Sequence, residues 1–241
     1  MSVVEKIAYR VGLMPLQNRV DPFGQIHAVP ARGLFTGNRG VIHDPATRTL
    51  LGRRWTTKAW IVCECEFRGR RRQVMGRNTP SGGAGWTELF FLDEVTALAA
   101  GHRPCFYCRR ESAVDFLRRF GQAFCIAAPR APQLDARLHA ERTASGGPLT
   151  PVSRDDIRAL PDGAMIGVGA RCFARRGAGL REWHFDRYGR PVDTGEPLLD
   201  GALLLTPPTT LAVLAAGYAP RWHGSAFATD RHPKSRAPLR P

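Results

Sequence analysis

Acidic residues are scarce in this sequence relative to basic ones. There are 21 Asp and Glu residues against 35 Lys and Arg, which gives a net charge of +14 and a pI near 10.7. A polyanion such as nucleic acid is the expected partner of so basic a chain. Nearly all of the basic residues are arginine, however, and a GC-rich genome would produce the same composition without any selection for binding.

Long apolar runs and the common catalytic motifs are also missing. No stretch approaches the roughly 18 apolar residues of a membrane span, and no small-residue cleavage site follows an apolar core near the N-terminus. The sequence has no Walker-type loop, no GxGxxG opening a helix after a strand, no HExxH and no GxSxG elbow. Six cysteines without the regular spacing of a disulfide framework predict a reducing, cytoplasmic location.

Two cysteines, Cys105 and Cys108, form a Cys-x-x-Cys turn that follows a short predicted helix. Asp93 is the predicted N-cap of that helix, and Gly101 is the left-handed residue that ends it. A thioredoxin-type redox pair instead lies at the start of a helix that follows a strand. Because the helix here precedes the cysteines, the turn is typical of one half of a tetrahedral zinc site.

The other half of the zinc site is expected in residues 55–75. Alternating side chains predict a β-hairpin there, with 71–75 as its return strand. Cys63 and Cys65 would then point to the same face of the hairpin and supply the two missing ligands. Cys65 could instead be a buried core residue, and in that case His102 or a water would complete the tetrahedron.

The residues around the cysteine turn resemble the metal-binding module of the Ada DNA-repair proteins. The likeness spans about residues 56–110, and its matching residues are Phe90, Phe91, Ala97, Ala99, Ala100, Gly101, Arg103, Pro104, Cys105, Cys108 and Arg109. It implies a small cysteine-ligated zinc fold that acts on DNA, in which Cys63 is the zinc-bound thiolate that accepts a methyl group from an alkylated phosphate. The match departs from the family in the closer spacing of Cys63 and Cys65 and in a longer connection to Cys105. The whole chain also resembles a group of uncharacterised bacterial proteins, a likeness that implies no function.

Arginines cluster close to the predicted zinc site and are expected to contact nucleic-acid phosphates, which a guanidinium can grip through two parallel N–H donors. This nucleic-acid-binding set, with DNA as the expected partner, comprises Arg68, Arg70, Arg71, Arg72, Arg77, Arg103, Arg109 and Arg110. The alternative is a charged strand edge that blocks pairing with other chains. Arg39, in a glycine-containing loop, could also approach a phosphate, although a plain turn explains that loop as well.

The overall pattern predicts an α+β fold in which a β-hairpin and short helices surround a Cys-ligated zinc site and a second small α+β unit follows. The expected divisions are an N-terminal domain with the Ada-like module (1–126), a helix and linker (127–152), a small α+β unit (153–228) and a mobile tail (229–241). Helices are predicted over 112–120 (opened by a Ser112/Asp115 capping box), 133–142, 153–160 and 208–216, and strands over 164–168, 171–174, 180–185 and 202–205. Trp183, Tyr188, Tyr218 and Trp222 are interpreted as core residues rather than base-stacking ones.

Two other function classes remain open. A hydrolase such as a nuclease could use His43 and Asp44, or His139 and Glu141, as acid–base groups or metal ligands. A protein-interaction module held together by zinc would need no nucleic acid at all. The sequence does not determine the oligomeric state.

Overall fold

The computed structural model describes residues 14–69, 72–144 and 149–228. The strands are β1 (Arg19–Val20), β2 (Ile26–His27), β3 (Phe35–Asn38), β4 (His43–Asp44), β5 (Thr49–Leu50), β6 (Ile61–Glu64), β7 (Leu89–Phe91), β8 (Arg103–Pro104), β9 (Met165–Val168), β10 (Arg171–Arg176), β11 (Gly179–Trp183), β12 (Tyr188–Val192) and β13 (Leu203–Leu204). The helices are α1 (Glu94–Ala99), α2 (Arg110–Ala123), α3 (Ala131–Ala144), α4 (Arg154–Ala159) and α5 (Pro208–Ala215). The fold is therefore of the mixed α+β class, as the sequence predicts. Arg70, Arg71 and the predicted tail 229–241 lie outside the described residues.

The first sheet has six strands in the order β2-β1-β7-β3-β6-β8. One of its faces is packed into the core, where Phe35, Val62, Leu89 and Phe91 form a hydrophobic cluster with residues of α1. Because side chains alternate along a strand, the neighbouring residues point to the other face. The paired positions Phe90, Thr36 and Cys63 therefore form a row across that open face.

The predicted β-hairpin over residues 55–75 is wrong. Strand β6 pairs antiparallel with β3 and parallel with β8, and the described residues of 71–75 form no strand. The pairing with β3 depends on Gly37, because a Cβ there would lie 2.4 Å from the carbonyl oxygen of Ile61. Alternation correctly predicts a strand at Cys63, but the partners of that strand are distant in the sequence.

Helix α1 lies between the six-stranded sheet and a five-stranded one, and all six of its residues are buried; β4 and β5 form a separate two-stranded sheet. Asp93 is its N-cap, as predicted, and accepts the backbone N–H of Thr96 at 2.9 Å. On one side α1 packs on the first sheet through Ala97. On the other, Val95 and Ala99 pack against a five-stranded sheet with the order β12-β11-β10-β9-β13. Residues from both sides of the predicted 127–152 division therefore share one hydrophobic cluster.

The predicted helices are present with small differences in their ends. Helix α2 begins at Arg110, without the predicted Ser112/Asp115 capping box, whereas Ser153 and Asp156 do form a capping box at α4. Helices α2, α3 and α5 pack together around Phe116, Leu138 and Val213. The second sheet contains the four predicted strands and an additional one, β12. Among the described residues, no helix has both the length and the apolar character that crossing a bilayer requires.

Candidate metal centre

Two paired strands bring Cys63 and Cys105 together. Strands β6 and β8 run parallel with Val62 opposite Pro104, and the N–H of Cys105 donates to the carbonyl of Val62 at 3.0 Å. Cys63 and Cys105 each follow these paired positions directly, so they become neighbours although they are 42 positions apart in the sequence. The first sheet thus provides one thiol from each of two adjacent strands.

A tight turn adds the third thiol. The N–H of Arg109 donates to the carbonyl of Cys105 at 3.0 Å, and the N–H of Tyr107 donates to the Cys105 Sγ at 3.4 Å. This turn returns Cys108 toward the sheet, and the sulfurs of Cys63, Cys105 and Cys108 all lie within 4.8 Å of one another. Zn–S bonds of about 2.3 Å in a tetrahedron separate the sulfurs by roughly 3.8 Å. The three thiols could therefore hold a metal ion of this kind with little movement.

The acid–base properties of the three thiols are linked by their proximity. Hydrogen bonds from the thiols of Cys108 and Cys63 hold the pKa of Cys105 well below its usual range. The same contacts raise the pKa of Cys63, to which burial adds, and the thiol of Cys105 raises the pKa of Cys108. Among the three sulfurs, negative charge is thus most favoured on Cys105. A divalent cation would stabilise two or three thiolates in the same space.

The cysteine cluster lies at the floor of a cavity on the open face of the first sheet. The cavity has a volume of about 390 Å³, and all three cysteines line it. Its other lining residues come from the sheet, from the segment after β6 and from the cysteine turn; they are Thr36, Asn38, Ile61, Glu64, Cys65, Phe67, Arg72, Val74, Trp86, Glu88, Phe90 and Tyr107. The cluster therefore borders a cavity, with Cys63 and Cys105 buried and Cys108 half-buried.

The structure does not bring the other two predicted ligands into the cluster. Cys65 lines the cavity, but it is exposed and does not belong to the group of three sulfurs. His102 lies against the core face of the sheet, where its ring contacts Trp60 and Phe91 with centroids 5.2 and 4.7 Å away. Burial, together with the nearby positive charges of Arg39 and Arg142, lowers the pKa of His102 well below its usual value. Its imidazole is a neutral core group rather than a fourth ligand.

Two of the predicted nucleic-acid-binding arginines are buried and paired inside the protein. Arg103 donates to both carboxylate oxygens of Asp135, at 2.7 and 2.8 Å. Arg109 donates to both carboxylate oxygens of Glu94, at 2.9 and 2.7 Å, and its guanidinium lies over the ring of Phe35. Their donors are thus directed at carboxylates within the fold, so the assignment of Arg103 and Arg109 to nucleic-acid contacts is corrected.

The remaining arginines of that set differ in their surroundings. Arg68, Arg77 and Arg110 are exposed, and Arg72 is half-buried, with its Nε donating to Glu88 at 2.6 Å. Arg68 has a positive φ of 53° and places its guanidinium over the rings of Phe67 and Tyr107. Of these four, Arg72 lines the cavity and Arg68 contacts two of its lining rings, whereas Arg70 and Arg71 lie outside the described residues.

The glycine-containing loop after β3 directs its arginine inward. Arg39 is only 1% exposed; its guanidinium stacks on Trp60 at 4.0 Å and donates to the carbonyl of Gly24 at 3.0 Å. Burial, with smaller effects from Arg54 and Arg142, lowers the pKa of Arg39 to about 9. This loop therefore presents no arginine to an external phosphate.

The residues considered for a hydrolase make their hydrogen bonds and ring contacts with other groups of the fold. The Nδ1 of buried His43 lies 2.6 Å from the hydroxyl of Thr87, while Asp44 accepts the N–H of Ala46 in a turn. His139 contacts the ring of Trp55, and Glu141 accepts from Thr209 near the start of α5. In the described part of the chain, the three cysteines form the one group of at least three His, Cys, Asp or Glu residues close enough to hold a metal.

Sequence reasoning missed the aromatic walls of the cavity. Tyr107 lies between the two cysteines of the turn, and Glu88 and Phe90 alternate with buried Leu89 and Phe91. That alternation is a period-two signal that could have placed Phe90 on the face opposite to Leu89 and Phe91. Trp86 carries no comparable signal, because it belongs to an irregular segment.

In comparisons with known proteins, no family model, no curated protein and no solved structure matches the chain.

Proposed function

We propose that this protein binds DNA and holds Zn²⁺ through Cys63, Cys105 and Cys108, with a zinc-bound thiolate that accepts a methyl group from an alkylated backbone phosphate. The observation that carries the proposal is the convergence of three sulfurs within 4.8 Å at the floor of an open cavity. A structural zinc site is usually closed by four protein ligands, whereas a reactive one keeps an accessible side. The expected setting is a bacterial cytoplasm, in agreement with unpaired cysteines.

The chemistry requires a thiolate that is deprotonated and exposed to substrate. Zinc would supply the positive charge that keeps the sulfurs deprotonated at neutral pH. The sulfur of Cys63 would attack the methyl carbon of a phosphotriester, forming an S–C bond as the C–O bond breaks. The electron pair leaves on the phosphate oxygen, so a neutral triester becomes an anionic diester and the thiolate becomes a thioether. Cys63 is largely buried but lines the cavity, so the methyl group of the substrate would have to enter the cavity to reach its sulfur.

The basic charge of the chain supports DNA as the partner. The net charge of +14 favours association with a polyanion. Arg68 lies beside the cavity, and Arg110 follows the cysteine turn at the exposed start of α2. An anionic backbone held by such residues would present its modified phosphate to the sulfurs.

Metal analysis of the purified protein tests the first part of the proposal. One zinc per chain is expected, and single replacement of Cys63, Cys105 or Cys108 by Ser should lower the zinc content well below one. Cys65→Ser is the matched control, since its thiol lines the same cavity outside the cluster, and it should keep the metal. Full zinc content in all four variants would contradict the ligand assignment.

Methyl transfer tests the activity. The zinc-loaded protein is incubated with DNA that carries radiolabelled methylphosphotriesters, and its peptides are then analysed by mass spectrometry. One added methyl group, on the peptide that contains Cys63, is the expected result, and Cys65→Ser should react equally. A fully zinc-loaded protein that binds DNA and acquires no methyl group would exclude the transfer and leave a structural zinc site in a DNA-binding protein.

A further inference from the structure

Four aromatic side chains surround the candidate metal centre, more than a site that contacts only phosphates needs. Trp86, Phe90, Phe67 and Tyr107 all line the cavity above the cysteines. We propose that this cavity receives a single unstacked nucleobase, and that the ligand is therefore single-stranded DNA or a strand with a base turned out of its duplex. The inference rests on the proposed function, because it specifies which form of DNA reaches the sulfurs.

The size of the cavity suits a ligand of this kind. Its volume of about 390 Å³ lies at the lower end of the roughly 300–1,000 Å³ that is usual for small-molecule sites. A duplex cannot enter such a space, whereas one base with its sugar can. Bases that leave the stack are typically held between aromatic or apolar side chains.

Tyr107 provides an accessible stacking surface at the edge of the cavity. It is 53% exposed although it lies inside the turn between two candidate ligands. Its ring meets Phe67 edge to face at 5.2 Å, and the guanidinium of Arg68 lies over both rings. An exposed aromatic pair with a cation beside it can bind a base through its face and the adjoining phosphate through charge.

A second aromatic residue of the cavity, Trp86, lies against an ion pair between Arg72 and Glu88. The guanidinium of Arg72 lies 4.4 Å from the ring centre of Trp86, and its Nε donates to Glu88 at 2.6 Å. The other carboxylate oxygen of Glu88 accepts the N–H of Met75 at 2.8 Å. The ring of Trp86 therefore lies against a guanidinium that is itself paired with Glu88, the residue before β7.

Several polar groups of the cavity are engaged within the protein. The hydroxyl of Thr36 donates to the carbonyl of Leu89, and Asn38 accepts the N–H of Gly40. Both carboxylate oxygens of Glu88 are used as well. Because these atoms are used within the protein and four aromatic rings line the same space, we expect stacking that tolerates any of the four bases.

The test compares DNA strands that differ only in their bases. Fluorescence anisotropy measures binding of the zinc-loaded protein to a labelled 12-mer, to the same strand with one central abasic site, to a fully abasic strand and to the duplex, all at one salt concentration. We expect the intact single strand to bind at least tenfold more tightly than the fully abasic strand and more tightly than the duplex. Changing the base sequence should alter affinity less than threefold.

Tyr107→Ala should weaken binding of the intact strand by about fivefold to a hundredfold, the range found for a lost base–aromatic stack. It should leave the zinc content and the affinity for the fully abasic strand unchanged. Phe227→Ala is the matched control, because Phe227 is an exposed aromatic residue that does not line the cavity. It should leave all affinities unchanged.

The binding measurements distinguish a failure of the base-binding cavity from a failure of the proposed DNA-binding function. Equal binding of intact and fully abasic strands, or tighter binding of the duplex, would overturn the base-binding cavity and leave a protein that contacts phosphates. Absence of binding to every strand would instead overturn the proposed function, and the inference with it. Normal strand binding by Tyr107→Ala would also contradict the stacking surface.

Discussion

Arginine has two separate roles in this protein, and burial distinguishes them. Arg103 and Arg109 flank the cysteine turn, and each makes a bidentate pair with a buried or nearly buried carboxylate. Arg68, Arg77 and Arg110 are exposed and remain accessible to a polyanion. A guanidinium that is desolvated and paired fixes local geometry, whereas one in water contributes mainly long-range charge.

The pair of Arg103 and Asp135 should be sensitive to loss of one partner. Asp135→Asn leaves a buried guanidinium without its counter-charge, and we expect it to lower the free energy of unfolding by about 3–5 kcal/mol. Asp115→Asn breaks pairs with exposed Arg118 and half-buried Arg119 near the surface of α2 and should cost less than about 1 kcal/mol. Urea denaturation of the zinc-loaded proteins measures both changes. Equal effects in the two variants would show that Arg103 contributes no more than a surface charge.

The contacts of single residues could be predicted from the sequence only in part. The spacing of Cys105 and Cys108 predicts that they lie together as metal ligands. The structure places Cys63 beside them, as expected. Nothing near Arg103 in the sequence indicates that its partner is Asp135, 32 positions away. An arginine beside a candidate site therefore indicates a contact surface in the sequence, although in the fold Arg103 is paired with a carboxylate inside the protein.

At the scale of elements, the strand carrying Cys63 was predictable and its neighbours were not. Alternating side chains indicate β6, but its parallel partner β8 has only two residues, too few to show any period. The pairing is completed by Gly37 in β3, where a larger residue would collide with the backbone of β6. Strands that are distant in the sequence are brought together as their side chains pack against α1. A local sequence pattern does not indicate such packing.

The pairing of β6 with β8 should depend on the metal. If zinc joins Cys63 to the turn at Cys105, its removal by a chelator should loosen these strands first. We expect the exchange of the Arg103 and Cys105 amides, which donate to Trp60 and Val62, to become at least tenfold faster. Amides that join β10 and β11 in the second sheet should be little changed.

Hydrogen-exchange mass spectrometry on peptides covering 58–66, 101–110 and 171–183 measures this difference. The Cys65→Ser protein, treated in the same way, provides the control, because it retains the three proposed ligands. A uniform increase over all three peptides would indicate global destabilisation instead. Unchanged exchange after complete zinc removal would show that hydrogen bonds alone hold the cysteines in place.

At the scale of the whole molecule, α1 connects the metal centre to the second sheet. Its Glu94 and Thr96 are polar residues that a sequence pattern assigns to solvent, yet both are buried. Glu94 accepts from Arg109 beside the cysteine turn and also from the Tyr218 hydroxyl, at 2.6 Å. Thr96 accepts the indole N–H of Trp183 from β11 at 3.0 Å. Polar contacts on two sides of one short helix thus bind the halves of the chain together.

This arrangement predicts that the molecule unfolds as one unit. Trp183→Ala removes a buried ring from the cluster around α1 and leaves the Thr96 hydroxyl without its donor, so we expect a loss of about 3–5 kcal/mol of stability. Trp55→Ala changes a half-exposed ring outside that cluster and should cost far less. Because α1 also packs against the first sheet, heating Trp183→Ala should release zinc at a lower temperature than heating the unaltered protein. The decrease should equal the decrease in the melting temperature measured by circular dichroism. A lower midpoint by circular dichroism with unchanged zinc release would mean that the second sheet unfolds alone, and the predicted division at 127–152 would then separate two independent domains.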